Sequence, residues 1–460
     1  MKKISKSELS DSKLSHVSST EGQHKIIHVS SSSNATSHTQ HPEAQWFANA
    51  TLGLFIHWGL PSVRGEFDLS WAMRKCEPSA RKHAAQGYGL QGPGLSVTPE
   101  EYWKLAAKFN PKEFNPVKML TAAKEAGFTY AVLTAKHHDG FALWPSDYGD
   151  FSTKNFMGGR DLVGEYVEAC RKTGMKVGLY FSPPDWHFTR RYCNFGPSDS
   201  GFYDTRHKKV EPRLPSPEET AAHCEFTRKQ VEELLTRYGK LDLLWFDGNI
   251  PGHTPISLER IRELQPSIVL NNRIGFGDYV TPEGTFPKER PNGWWEECHV
   301  WNEGGWGYRS HEIYKPTGFV SMELAKVRSW GGNFLLNVAP DGQGRLPDVC
   351  YKRFEELAGW MKTCGEAYYD VKPGPWPEQC NVPVTCKDNG TWYIHIDFIS
   401  DGQVVIRGLD HKPESLRNLR TGENIAYSYK DKTLNFELDS GRISLSGEII
   451  AMKMISKLRK

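Results

Sequence analysis

The chain has 460 residues, with 57 Lys and Arg against 55 Asp and Glu, for a net charge of +2. That length accommodates one large domain and a smaller one, and the near-neutral balance gives no electrostatic footprint for nucleic acid or an anionic membrane. No apolar run approaches the roughly 20 residues of a membrane span, and nine cysteines without CxxC spacing exclude a zinc ribbon or a dense disulfide framework.

Residues 1–42 are rich in Ser, His, Thr, Lys and Gln. They lack the apolar surface to fold alone and are expected to form a disordered polar leader. The "MKK" start has no apolar centre behind it, so the chain reads as cytoplasmic, or as secreted or periplasmic if a signal has been removed.

Residues 43–370 alternate between two textures. Strand-like apolar runs occupy 52–58, 130–137, 176–182, 241–247, 268–273 and 333–339. Helical-period stretches fall at 100–109, 117–127, 162–174, 218–239, 257–265 and 321–330, several ending on glycine as a left-handed cap requires. Such alternation implies a parallel sheet with helical crossovers. No G-x-G-x-x-G follows the first strand, which disfavours a dinucleotide fold. The expectation is an α/β fold, a (β/α) barrel of TIM type. After residue 370 come short alternating segments split by "DNG" and "DSG" turns, which predict a C-terminal all-β sandwich over 371–460. Cys380 and Cys386 are spaced to bridge a hairpin there, although buried free thiols are the simpler reading.

A (β/α) barrel carries its active site at the C-terminal ends of its strands. Reactive groups recur there: His57 in "FIHWG", His137, His138 and Asp139 in "TAKHHDGF", Tyr180 in "GLYFSPPDW", Asp247 in "LDLLWFDGNI" and Arg273 in "NNR". Taken singly, each reads equally as a helix cap or turn former; five together point to a site. Asp247 stands where a rigid strand delivers a carboxylate into an aromatic pocket, and Gly248 lets the chain turn away. Glycoside hydrolysis needs a second carboxyl group. "GDYVTPEGTFP" offers Glu283 and "GWWEECHVW" offers Glu296 and Glu297, each of which alone also reads as a solvated surface acid. The 15 tryptophans suit sugar stacking. A zinc site from His57, His137, His138 and Asp139 is the rival. It is disfavoured because consecutive strand residues point to opposite faces, so that His137 and His138 converge only if the strand breaks there, and no H-E-x-x-H is present.

The segments "WFANATLGLFIHWG", "YAVLTAKHHDGFALWPS", "VGLYFSP", "LDLLWFDG" and "NFLLNVAPDGQG" resemble, in order, the signatures of the α-L-fucosidases of glycoside hydrolase family 29. The resemblance implies a retaining, exo-acting hydrolase of terminal α-L-fucosyl residues that works through a covalent glycosyl-enzyme. It implies a fucosylated oligosaccharide or glycan as substrate, no metal and no cofactor; a homo-oligomer is compatible. Asp247 would be the nucleophile and Glu283 the acid/base, with Glu296 as the alternative, in surroundings that raise the acid's pKa. His57, Trp71, His137, His138, Tyr180, Trp245 and Arg273 would line the fucose pocket. Two departures stand out. Ser70-Trp71 replaces the family's frequent Glu-Trp, so Glu66 is the expected substitute contact, and "NNR" replaces "NDR". The first keeps open a related α-L-sugar such as α-L-galactose, or a fucose-binding protein without hydrolysis.

Overall fold

The computed structural model describes residues 38–75, 96–197, 201–303, 305–397 and 401–454. The expected disordered leader, apart from residues 38–42, lies outside them.

Eight parallel strands form one sheet: β1 (Leu52–Ile56), β2 (Tyr130–Lys136), β3 (Lys176–Phe181), β4 (Leu243–Phe246), β5 (Val269–Leu270), β6 (Tyr279–Val280), β7 (Trp294–Val300) and β8 (Asn333–Val338). Each pairs with its sequence neighbour, apart from β5 and β6, and β8 returns to β1 in the register Leu52 to Phe334. A parallel bridge between Asn271 and Tyr279 joins β5 to β6 and completes the ring. This is the expected barrel. Two strands escaped the sequence reading. β6 is only two residues long, and β7 carries Glu296 and Glu297, which looked like surface acids. The helix Asp348–Cys364 also escaped it.

Period-two alternation sorts the wall. Leu54, Leu133, Leu179, Leu244, Phe246 and Leu336 face the helices; Phe55, Val132, Tyr180, Leu243, Trp245 and Leu335 fill the interior. The continuous apolar runs follow, because a barrel strand is covered on both faces. Crossover helices are fixed locally. The helix Pro217–Arg237 starts on a capping box between Ser216 and Glu219, and Leu162–Thr173 ends at Gly174 in the left-handed region. The floor is sealed by the 3-10 turn Pro42–Asn49, whose Phe47 packs on Tyr279 and Trp294, while His38 stacks on Trp294 at 4.0 Å.

Beyond the barrel, five- and three-stranded antiparallel sheets face each other across a shared core of Val384, Ile394, Ile450, Val404, Leu434 and Phe436, the expected sandwich. It docks on the helix Thr317–Ser329, where Ser321 donates to the Ser446 carbonyl at 2.7 Å. Cys380 and Cys386 are both free thiols.

Candidate active site

Alternation decides what reaches the pocket. In β4, Leu243 and Trp245 point inward and Leu244 and Phe246 outward, so Asp247 points inward at the rim. Asn271, first of "NNR", clamps that strand end: its side chain accepts from the Phe246 amide and donates to the Phe246 carbonyl, both at 2.8 Å. Gly248 follows with φ 93°, a conformation that turns the chain away from the pocket at no steric cost.

Tyr180, His138 and Arg273 converge on Asp247. Tyr180 donates its hydroxyl to Oδ2 at 2.5 Å, and His138 Nε2 lies 3.5 Å from the same oxygen. Arg273 donates to Oδ1 at 3.0 Å through one guanidinium nitrogen and to Glu283 Oε2 at 2.8 Å through the other. One rigid fork therefore spans two carboxyl groups. Arg273 is buried, and its guanidinium carbon lies 4.4 Å from the centre of the Trp245 ring. Burial works against its charge, but Glu283 and Asp247 outweigh that and raise the group above its ordinary range. Glu283 follows β6 and bridges to Cys298 of β7.

The histidines are set by second partners. His57 Nδ1 lies 2.7 Å from Asn337 Oδ1, and Asn337 Nδ2 donates to the Trp306 carbonyl. The Asn337 oxygen is thus an acceptor, His57 carries its proton on Nδ1, and Nε2 is an acceptor toward the pocket. Burial pushes His57 down to about 4, keeping it neutral. Ser182 donates to the Pro184 carbonyl at 2.6 Å and so accepts from His138 Nδ1 at 2.5 Å. Ser70, at the position of the missing glutamate, bonds His137 Nδ1 at 2.7 Å. His137 and His138 converge, with ring centres 4.3 Å apart. The strand breaks where convergence requires it to: β2 shifts register between Thr134 and Lys136 and stops there, so the pair stands beyond the strand.

The pocket is lined by Phe55, His57, Leu69, Trp71, His137, Tyr180, Trp245, Asp247, Arg273, Glu283, Cys298 and Trp306; His138 reaches it through Asp247. Two expected contacts fall elsewhere. Glu66 is an exposed surface residue paired with Arg64, because the turn it occupies faces solvent while Leu69 and Trp71 face inward. Glu296 is sealed inside the barrel, accepting from Tyr130 at 2.5 Å, Trp245 at 3.1 Å and Tyr279 at 3.2 Å. Burial, outweighing these bonds, pushes its carboxyl up to about 7. Glu297 faces away from the pocket and is pushed up to about 8 by burial and by Glu323. Asp139 also points away, bonded by Tyr102 at 2.9 Å.

Sequence reasoning missed Phe55, Leu69, Cys298 and Trp306. Phe55 was legible as the inward residue two before His57. Trp306 was not: it follows a strand that the reading lacked, and its loop is held by Asp68, which accepts from the Trp306 and Gly307 amides at 2.9 and 2.8 Å. Gly305, at φ 117°, is obligatory there, since a Cβ would lie 2.5 Å from the Asp68 carboxylate.

The α-L-fucosidase family profile matches residues 19–366. The chain belongs to this family. Rat tissue α-L-fucosidase is 30% identical over 391 residues, covering 79% of this chain and 78% of that one. The human tissue enzyme is 29% identical over 397 residues, covering 81% and 77%. Among solved structures, α-L-fucosidase isoenzyme 1 from Paenibacillus thiaminolyticus superposes with a TM-score of 0.69 at 28% identity, covering 90% of this chain and 99% of that one. Thermotoga maritima α-fucosidase, solved in complex with fucose, gives 0.67 at 27% identity, covering 88% and 96%. As an α-L-fucosidase family member, of glycoside hydrolase family 29, the chain is a glycoside hydrolase with a glycan substrate. The fucosidase reading holds over the related-sugar and non-hydrolysing alternatives.

Proposed function

We propose that the protein releases terminal α-L-fucosyl residues from fucosylated oligosaccharides with retention, using Asp247 as nucleophile and Glu283 as acid/base. The observation that carries this reading is the single Arg273 guanidinium that bonds both carboxyl groups. It supports a separation suited to the roughly 5–5.5 Å of a retaining pair.

Asp247 attacks the anomeric carbon from the strand end. Tyr180 and Arg273 align its two oxygens and stabilise it as the leaving carboxylate in the second step. Glu283 protonates the departing oxygen and then takes a proton from the incoming water. The sequence reading expects surroundings that raise this acid's pKa, whereas the structure puts a guanidinium beside it. The two carboxyl groups thus share one cation, which holds each at a fixed position relative to the other. His57 Nε2 accepts from a sugar hydroxyl. Phe55, Leu69, Trp71, Trp245 and Trp306 supply apolar faces for the ring and a bare C6 methyl.

A crystal soak with L-fucose tests the assignment. The expected pose puts the anomeric carbon about 3–3.5 Å from an Asp247 oxygen with Glu283 facing its hydroxyl. A pose in which another carboxyl group faces the anomeric carbon overturns it.

A further inference from the structure

The rim of the barrel also carries the makings of a transition-metal site. One ring nitrogen of His137, one of His138 and a carboxylate oxygen of Asp247 all lie within 4.8 Å of one another, and all three residues are buried. We propose that this trio binds a zinc-like divalent ion that competes with the sugar, so that the enzyme is inhibited by such ions at its own nucleophile.

Tetrahedral Zn²⁺ with bonds of about 2.0–2.1 Å to nitrogen and oxygen needs donors about 3.3 Å apart. His138 Nε2 and Asp247 Oδ2 already stand 3.5 Å apart, so only the third donor has to draw in. Both imidazoles are held from behind, His138 Nδ1 by Ser182 and His137 Nδ1 by Ser70. Hydrogen bonding of the second ring nitrogen is how metal-ligating histidines are oriented, and it presents Nε2 as the ligand atom of each. Because Ser182 spends its proton on the Pro184 carbonyl, it holds His138 with Nδ1 protonated, the tautomer a ligand needs. Two imidazoles and one carboxylate match the donor set of open zinc sites, with the fourth position toward the pocket. Charge is favourable as well: Asp247 and Glu283 against Arg273 leave no net positive charge facing a dication.

An ion here takes the oxygen that would attack the sugar and occupies the sugar's place, so it inhibits the proposed reaction rather than taking part in it. The binding claim rests on geometry alone; the competition claim rests also on the fucose-pocket reading.

The full chain, freed of metal by chelation, is titrated with zinc chloride in a non-coordinating buffer by calorimetry, and a zinc-soaked crystal is measured at the zinc absorption edge. The expected result is an anomalous peak between His137, His138 and Asp247. Zinc affinity at that site should fall at least tenfold in His137→Ala/His138→Ala and about tenfold in Ser182→Ala. L-fucose at 100 times its Kd should weaken zinc about 100-fold. A peak confined to other histidines or to the half-buried Cys224 and Cys386, or no peak at all, overturns the site. A peak at the trio that saturating L-fucose leaves unchanged keeps the site and overturns the competition, provided fucose binding is itself detected; undetectable fucose binding instead counts against the fucose-pocket reading.

Discussion

Glu283, just past β6, and Glu296, within the neighbouring β7, both looked from the sequence like partners for Asp247. Glu283 bridges to Cys298, two residues further up β7 than Glu296, a difference in depth of roughly 6–7 Å at the usual rise per residue. At the upper level a carboxyl group meets a guanidinium, the nucleophile candidate and the open pocket. At the lower level it meets two phenols and an indole and is sealed beneath Trp245. The same side chain stands beside the proposed nucleophile in one layer and is sealed into the barrel interior in the next. In a barrel, depth along the strand assigns the role.

The sharpest way to break this comparison is at the nucleophile. Asp247→Ala should lower kcat on an aryl α-L-fucoside by roughly 10⁴-fold or more. Azide should restore turnover and give the product of inverted configuration, read by NMR; near-normal activity without azide ends the assignment.

The two glutamates should then separate. Glu283→Gln should cost about 10²–10⁴-fold on substrates with poor leaving groups and much less on an activated aryl fucoside. Glu296→Gln should show no such dependence on the leaving group, and a Brønsted plot for each variant checks this.

Glu296 should instead be visible in stability. Its folded pKa of about 7 lies above its ordinary 4.5. The folded state therefore holds a proton that the unfolded chain releases between those values. The stabilisation is fully present below about pH 4.5 and is lost as pH rises to about 7, a change of about 3 kcal/mol from this group. Denaturant titrations across that window should show a flatter pH dependence for Glu296→Gln than for the natural protein.

Smaller effects belong to the serine that stands in for the family glutamate. Ser70→Ala removes one hydrogen bond to His137, worth about 1 kcal/mol, and should lower kcat/KM about fivefold with little change in fold. Smallest of all, Glu66→Ala should leave kcat/KM within about twofold, since the residue is a solvated surface acid; a large loss would return it to the pocket.

Much of this molecule was legible in one dimension. Apolar runs at a βα spacing marked the barrel, and turn-punctuated alternation marked the sandwich. Period two within "LLWFD" already required Asp247 to face the same side as Trp245. Residues fixed relative to a strand end, such as His57, Tyr180 and Arg273, could be placed because a strand's geometry is local.

What the tertiary structure alone decided is everything that depends on closure. Only the ring of eight strands could put Glu296 below Glu283, bring Asp68 under the Trp306 loop, and turn Glu66 outward. The halting of β2 at its bulge swung His137 and His138 together. These are contacts between segments distant in the chain, set by shear, register and bulges, and a local pattern carries no information about which of two buried carboxyl groups meets a cation.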